Sequence, residues 1–361
     1  MSRDGAQFLA DELVCVLSHY DIGVIHQVKS IEAGNRRLPK LAFLTDAGKF
    51  LLKRKPAGGD QFSRVVFAHA VQRHLGRAGF PVPPIVSTRH ESKTVLLRGN
   101  YVYEMFRFVA GSRYDGSPEA TVNSGMQLAR FHRLIATFDH SQDALQSTFH
   151  DSTIVRRHLR SLGRHARSRH GHVYETNQRP GGRERKTAEE LMALYNDASI
   201  RANKHGYGSL ARQVVHGDWH PGNILFAGSE IVAVLDFDSV KIAPPVTDLA
   251  NAMLQFSIVG GRPRPSDWPD YFDQDRLLQV VMGYCRDASL NEVKLDCLID
   301  LMIETMIAEA VLPVAATGFF GHLHGLDFLK MILRKARWLN SHRGELSEAV
   351  KRQSVKSSVA G

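Results

Sequence analysis

With 361 residues, 43% hydrophobic and 23% charged, the chain can bury sizeable cores and is neither a disordered tail nor a fibrous repeat. Its three cysteines, Cys15, Cys285 and Cys297, are odd in number and lack metal-ligand spacing, so neither a disulfide framework nor a zinc site is suggested. The start, Met1-Ser-Arg-Asp-Gly, has no apolar core, and the apolar stretch near 298–320 is broken by Asp300, Glu304 and Glu309, so neither a signal peptide nor a membrane span is expected and the chain reads as cytoplasmic.

In chain order, an amphipathic helix from Phe8 to Leu17 leads to a strand at Val28–Ile31. Two more strands, Leu38–Leu44 and Lys49–Arg54, form a hairpin around the turn Asp46-Ala-Gly48. Residues 62–77 read as a helix with Phe62, Val65, Val66, His69 and Leu75 on one side, and Gly79-Phe-Pro-Val-Pro-Pro84 ends it. Short strands near Ile85, Val95 and Val102 complete the expected sheet. After Gly111 the pattern is mostly helical, apart from a strand pair around Ile224 and Val234. The expected division is an N-terminal lobe at 1–106, a C-terminal lobe at 107–342, and a polar, frayed tail rich in Ser and Lys at 343–361.

Lys53 closes the apolar run Phe50-Leu-Leu, a fixed base from which an ammonium can reach nucleotide phosphates, although Arg54 and Lys55 beside it keep a solvated basic strand end in play. The loop Glu32-Ala-Gly-Asn-Arg-Arg37 has a single Gly, so a phosphate cradle helped by Arg36 or Arg37 and a basic surface turn stand level. The strongest pattern is His216-Gly-Asp218-Trp-His-Pro-Gly-Asn223, followed by Asp236 at the end of the apolar run Ile231-Val-Ala-Val-Leu. Phosphoryl transfer to a hydroxyl needs a carboxylate to take the proton and oxygen ligands to hold Mg²⁺ against ATP. Asp218 fits the first need, and Asn223 and Asp236 the second. Asp238, two residues on, faces the same side of an extended segment and can steady a second Mg²⁺, while Asp248 opens a helix from which its carboxylate can clamp the catalytic loop.

These motifs, together with Tyr101-Val-Tyr-Glu-Met-Phe-Arg-Phe-Val-Ala-Gly111, Leu128-Ala-Arg-Phe-His132 and Asp248-Leu-Ala250, resemble the aminoglycoside phosphotransferase superfamily, which includes choline and homoserine kinases. The likeness spans roughly residues 10–255, and the N-terminal part looks closest to CotS-type spore-coat proteins. It implies an α+β, two-lobed protein-kinase-like fold, with a small antiparallel-sheet N-lobe and a larger, mostly helical C-lobe. It further implies ATP and Mg²⁺ as cofactors and a small-molecule hydroxyl acceptor, with no nucleic-acid or membrane partner. By resemblance, Glu104 and Phe106 flank the backbone that receives adenine, and His216 braces the catalytic loop. Many relatives pair the strand Lys with a helix Glu, whereas residues 62–77 hold no acid, leaving His69 or Gln72 on that face. An inactive scaffold or coat component is the alternative that this gap keeps open.

Trp219 and His220 read equally as substrate contacts or as an apolar anchor and a surface imidazole. The basic run Arg156–His170 reads as a solvated helix face, since no aromatics interleave to stack bases. Asp296, Asp300 and Glu304, four apart, form an acidic ridge that would take an amine if it faced the cleft and otherwise faces water. The gap from Asp236 to Asp248 contains no Ala-Pro-Glu, which argues against a protein substrate.

Overall fold

Period-two patterning over residues 40–56 sends Phe43, Phe50 and Leu52 to one side of a sheet and leaves Lys53 and Lys55 on the other. The computed structural model describes residues 8–31, 38–139, 148–162 and 182–359. The Glu32–Arg37 loop and the basic run beyond 162 lie outside them. Helix α1 (Ala10–Leu17) precedes strands β1 (Ile25–Ser30), β2 (Lys40–Thr45) and β3 (Gly48–Pro56). Helix α2 (Gln61–Arg77) then leads to β4 (Leu96–Arg98) and β5 (Tyr101–Arg107). The sheet order is β1-β2-β3-β5-β4, antiparallel throughout. Val16, Tyr20, Phe43, Phe50, Leu52, Tyr103 and Met105 form the core beneath it.

Two details differ from expectation. Ile85 makes a single bridge to Phe106 rather than a strand, because Pro83 and Pro84 have no N–H with which to extend a ladder. Along α2, Phe62 and Val66 are exposed, while Phe67 turns inward to meet the edge of Phe138 at 6.0 Å, rotating the buried sector toward Val65, Ala68, His69, Val71, Gln72 and Leu75.

The rest of the chain comprises α3 (Pro118–Ile135), α4 (Thr153–Leu162), α5 (Gly182–Lys204), β6 (Gln213–Val215), β7 (Ile224–Ala227), β8 (Glu230–Val234), β9 (Lys241–Ala243) and α6 (Val246–Ser257). It continues with α7 (Gln274–Tyr284), α8 (Glu292–Thr317), β10 (Phe319–Phe320), β11 (Leu323–His324), α9 (Gly325–Ser341) and α10 (Arg343–Val359). Helix α8 is the hub: α4, α5, α6, α9 and α10 all pack on it, and it is buried on nearly every face. The Asn291 side chain caps its start, accepting from the Lys294 N–H at 3.0 Å, and Gly318 at φ 80° ends it. Among the described residues no helix is long and apolar enough to cross a membrane.

The 343–361 tail is not frayed where described. Leu346 and Val350, one helical turn apart, are buried, and Ser354 reaches Cys285 Sγ at 3.5 Å, so α10 docks against α7 and α8. Its apolar stripe is only two residues wide, flanked by small serines, which explains why the composition looked disordered.

Helices α3 and α7 approach so closely at Gly125 and Gly283 that neither tolerates a side chain. A Cβ on Gly283 would lie 1.9 Å from the Val122 carbonyl oxygen, and one on Gly125 would lie 2.1 Å from that of Val280. Gly283→Ala is therefore expected to destabilise the protein by about 2 kcal/mol or more, as the backbones must separate. A denaturation midpoint unchanged from wild type would contradict this.

The chain divides into two compact units. One comprises 1–115, 134–145 and 222–240; the other comprises 116–133, 146–221 and 241–361. The expected boundary at residue 106 falls within the first of these units. The β7–β8 hairpin belongs with the sheet because Ser112 and Phe226 exchange backbone hydrogen bonds of 2.8 and 3.0 Å, and the Val234 N–H donates to the Pro81 carbonyl at 2.8 Å.

Candidate active site

In the sheet-bearing unit, strand alternation separates the basic residues of β3. Arg54 turns to the α1 side, where its guanidinium meets Glu12 at 2.7 Å. Lys53 and Lys55 share the opposite face. Lys53 Nζ lies 3.6 Å from Asp236 and 5.4 Å from the Phe106 ring centroid. Lys55 is buried and bridges two carboxylates, Glu104 at 2.7 Å and Asp238 at 2.5 Å. Glu104, also buried, receives His69 Nε2–H at 2.9 Å from α2. Burial opposes the charge on both Lys55 and Glu104, yet each is driven further toward its charged form. Glu104 and Asp238 hold the Lys55 pKa up, and His69 and the lysines hold the Glu104 carboxyl down.

The Glu104 side chain, on β5, thus pairs with Lys55 and His69, while Lys53 faces Asp236. Backbone at Glu104–Phe106 is strand-paired to β3, and the Met105 carbonyl accepts the Val86 N–H at 2.8 Å. The i, i+2 spacing of Lys53 and Lys55 was the signal by which Lys55 could have been found.

Asn223 and Asp236 sit at the open end of the β7–β8 hairpin. Pairing of Ile224 with Val234, and the Leu235 N–H donating to the Asn223 carbonyl at 2.8 Å, hold the two flanking residues together. Asp236 adopts φ 62°, ψ 63°, a left-handed conformation uncommon for a non-glycine and characteristic of functional positions. The donor set of Asn223, Asp236 and Asp238 is all oxygen, as Mg²⁺ prefers when phosphates complete its shell. Among the described residues no group of three or more His, Cys, Asp or Glu is placed to hold a metal ion.

In the helical unit, Gly217 at φ 77° makes the sharp bend that a side chain would resist. Asp248 on α6 is fully buried and accepts the His216 N–H at 2.7 Å and the Gly217 N–H at 2.8 Å, with His132 Nε2 at 3.3 Å. His132 is held in turn by Tyr284 OH at 2.9 Å. Burial opposes ionisation of Asp248, but His132, His216 and the Gly217 amide outweigh it and hold the carboxyl below its ordinary value. The clamp read from the sequence therefore acts on the loop's backbone. His216 packs edge-on against Trp219 and Phe131 and bears no exposed surface. Trp219 is the apolar anchor, its Nε1–H donating to Ser124 at 3.0 Å. Asp218 keeps 35% of its side chain exposed, and the half-exposed His220 stands 3.5 Å from it.

The acidic ridge is taken up by pairing within the helical unit. Asp300 pairs with Arg201 at 2.8 Å, Glu304 with His150 at 2.8 Å and Ser199, and Asp296 with Lys351 at 2.9 Å, so these acids tie α8 to its neighbours.

The sequence profile of the phosphotransferase enzyme family matches residues 28–284. No curated protein matches the sequence. Among solved structures, the fold is similar to that of the amicoumacin kinase hAmiN in complex with AMP-PNP, Ca2+ and Ami, at 12% identity and TM-score 0.67, covering 92% of this chain and 94% of that one. It is also similar to an aminoglycoside phosphotransferase from Alicyclobacillus acidocaldarius, at 15% identity and TM-score 0.65, covering 97% and 99%. A microcompartment-associated aminopropanol kinase matches at 14% identity and TM-score 0.66, covering 92% and 97%. The chain belongs to the phosphotransferase enzyme family and has the α+β kinase-like fold of these structures.

Proposed function

We propose that the chain moves the γ-phosphate of ATP, with Mg²⁺, to a hydroxyl of a small molecule. Asp218 orients the acceptor hydroxyl and takes its proton as the new O–P bond forms and ADP leaves with the bridging oxygen. Lys53 grips the α- and β-phosphates, while Lys55, fixed by Glu104 and His69, holds the Asp236–Asp238 segment to the sheet. Asn223 and Asp236 would hold Mg²⁺, which when bound neutralises phosphate charge and polarises the transferred group. The observation that carries this reading is the catalytic loop, whose backbone is locked by Asp248 while the Asp218 carboxylate remains open to solvent. The bound AMP-PNP and Ca2+ of the amicoumacin kinase support a nucleotide accompanied by a divalent cation.

The experiment is a thermal-shift titration with ATP, with and without Mg²⁺, using Asp236→Ala as control. A Mg²⁺-dependent rise in melting temperature that the variant loses is expected, on the order of 2.7 kcal/mol of stabilisation at a hundredfold excess over Kd. Absence of any shift at millimolar nucleotide would remove the proposal.

A further inference from the structure

The β2–β3–β5 register sets two rows of side chains on the face of the sheet opposite its core. Ala42, Leu51 and Phe106 form one row, and Lys40, Lys53 and Glu104 form the next, two residues away along each strand. Two residues of strand put the rows about 7 Å apart. The first row is apolar and suits a flat base, while the second is charged and suits the phosphates of the same nucleotide.

The second row breaks a rule of sheet construction. Lys40 stands directly opposite Lys53, and like charges so placed on neighbouring strands destabilise the pair. Both lysines are half-buried, so water screens their repulsion only in part. Burial and the Lys53 charge hold the Lys40 pKa below its ordinary value, against the pull of Asp236 and Asp238. Those acids already serve β3, since Lys53 lies 3.6 Å from Asp236 and Lys55 bridges Asp238 and Glu104. Once Asp236 turns to Mg²⁺, its charge is spent on the metal and the balance on this face tips positive. A local rule broken in this way marks a functional position. A polyphosphate laid across Lys40 and Lys53 converts their repulsion into two charge-assisted contacts. The sequence points the same way: the loop three residues ahead of Lys40 holds a single glycine, so side-chain charge takes over from the backbone amides of a glycine-rich cradle.

We infer that Lys40 is a second phosphate-binding lysine, which takes a phosphate beyond the first and makes the sheet discriminate nucleotides by phosphate number. This rests on the proposed nucleotide site and adds to it a residue that the catalytic motifs do not contain.

The test is calorimetric binding of Mg·AMP-PNP and of AMP to wild type, Lys40→Met and Lys40→Arg. Lys40→Met is expected to weaken Mg·AMP-PNP roughly tenfold or more and AMP by less than about twofold, and Lys40→Arg to restore most of the loss. Added salt should weaken Mg·AMP-PNP less steeply in Lys40→Met than in wild type. Because the substitution removes a like-charge pair, the melting temperature without nucleotide should stay the same or rise, which separates a lost phosphate contact from a damaged sheet. An unchanged affinity for Mg·AMP-PNP, an equal loss for AMP, or a lowered melting temperature without nucleotide overturns the inference. Failure of Mg·AMP-PNP to bind wild type would instead overturn the nucleotide reading on which it rests.

Discussion

Asp218→Asn is expected to lower acceptor-dependent ADP release by at least about 100-fold while leaving Mg·ATP binding unchanged. The loop around Asp218 is shaped by the Gly217 bend, the Trp219 anchor and the two backbone bonds to Asp248, none of which involves the Asp218 side chain. Asn is isosteric with Asp, so the variant should retain the wild-type melting temperature. What it loses is the capacity to accept a proton, a loss felt in the transition state and hence in kcat rather than in KM. A fall of less than tenfold with an accepted substrate would remove Asp218 from the role of base.

The largest loss of stability is expected at Asp248. Its carboxylate is buried and receives the His216 and Gly217 N–H groups and His132, so Asp248→Ala strands three donors in the interior. The expected cost is about 3 to 5 kcal/mol, measured by urea denaturation, and phosphotransfer should fall with it as the loop loosens. Asp248→Asn should cost less, because one amide oxygen can still accept. The folded-state pKa of Asp248 is depressed, so its contribution is fully present above the unfolded-state value and is lost as pH falls through the folded one. The stability gap between wild type and Asp248→Asn should therefore narrow in acid. A gap that widened below pH 4 would contradict the assignment of charge.

The bend at His216–Asn223 was legible because it is written in contiguous residues. Asp218, Asn223 and Asp236 are placed by a tight bend and a hairpin, both written locally in Gly217, Gly228 and the apolar strands. The sheet was legible for the same reason, since period-two patterning needs no tertiary information. The lysine's partners were not legible, because Glu104 and His69 meet only through the β3–β5 register and the docking of α2. Likewise Asp296, Asp300 and Glu304 share one spacing, yet the partner each finds depends on what α5, α10 and the segment before α4 bring to it. The tail misled because two buried residues among serines are too weak a stripe to read.

The hairpin that carries Asn223 and Asp236 makes the sheet-bearing unit discontinuous along the chain. During synthesis, the strands up to Arg107 leave the ribosome long before residues 222–240, and a chain emerging at roughly 5 to 20 residues per second leaves them for several seconds without that hairpin. No fragment ending near residue 115 can therefore contain the whole unit. Limited proteolysis or truncation meant to isolate the sheet-bearing unit should yield an incomplete one, lacking residues 134–145 and 222–240.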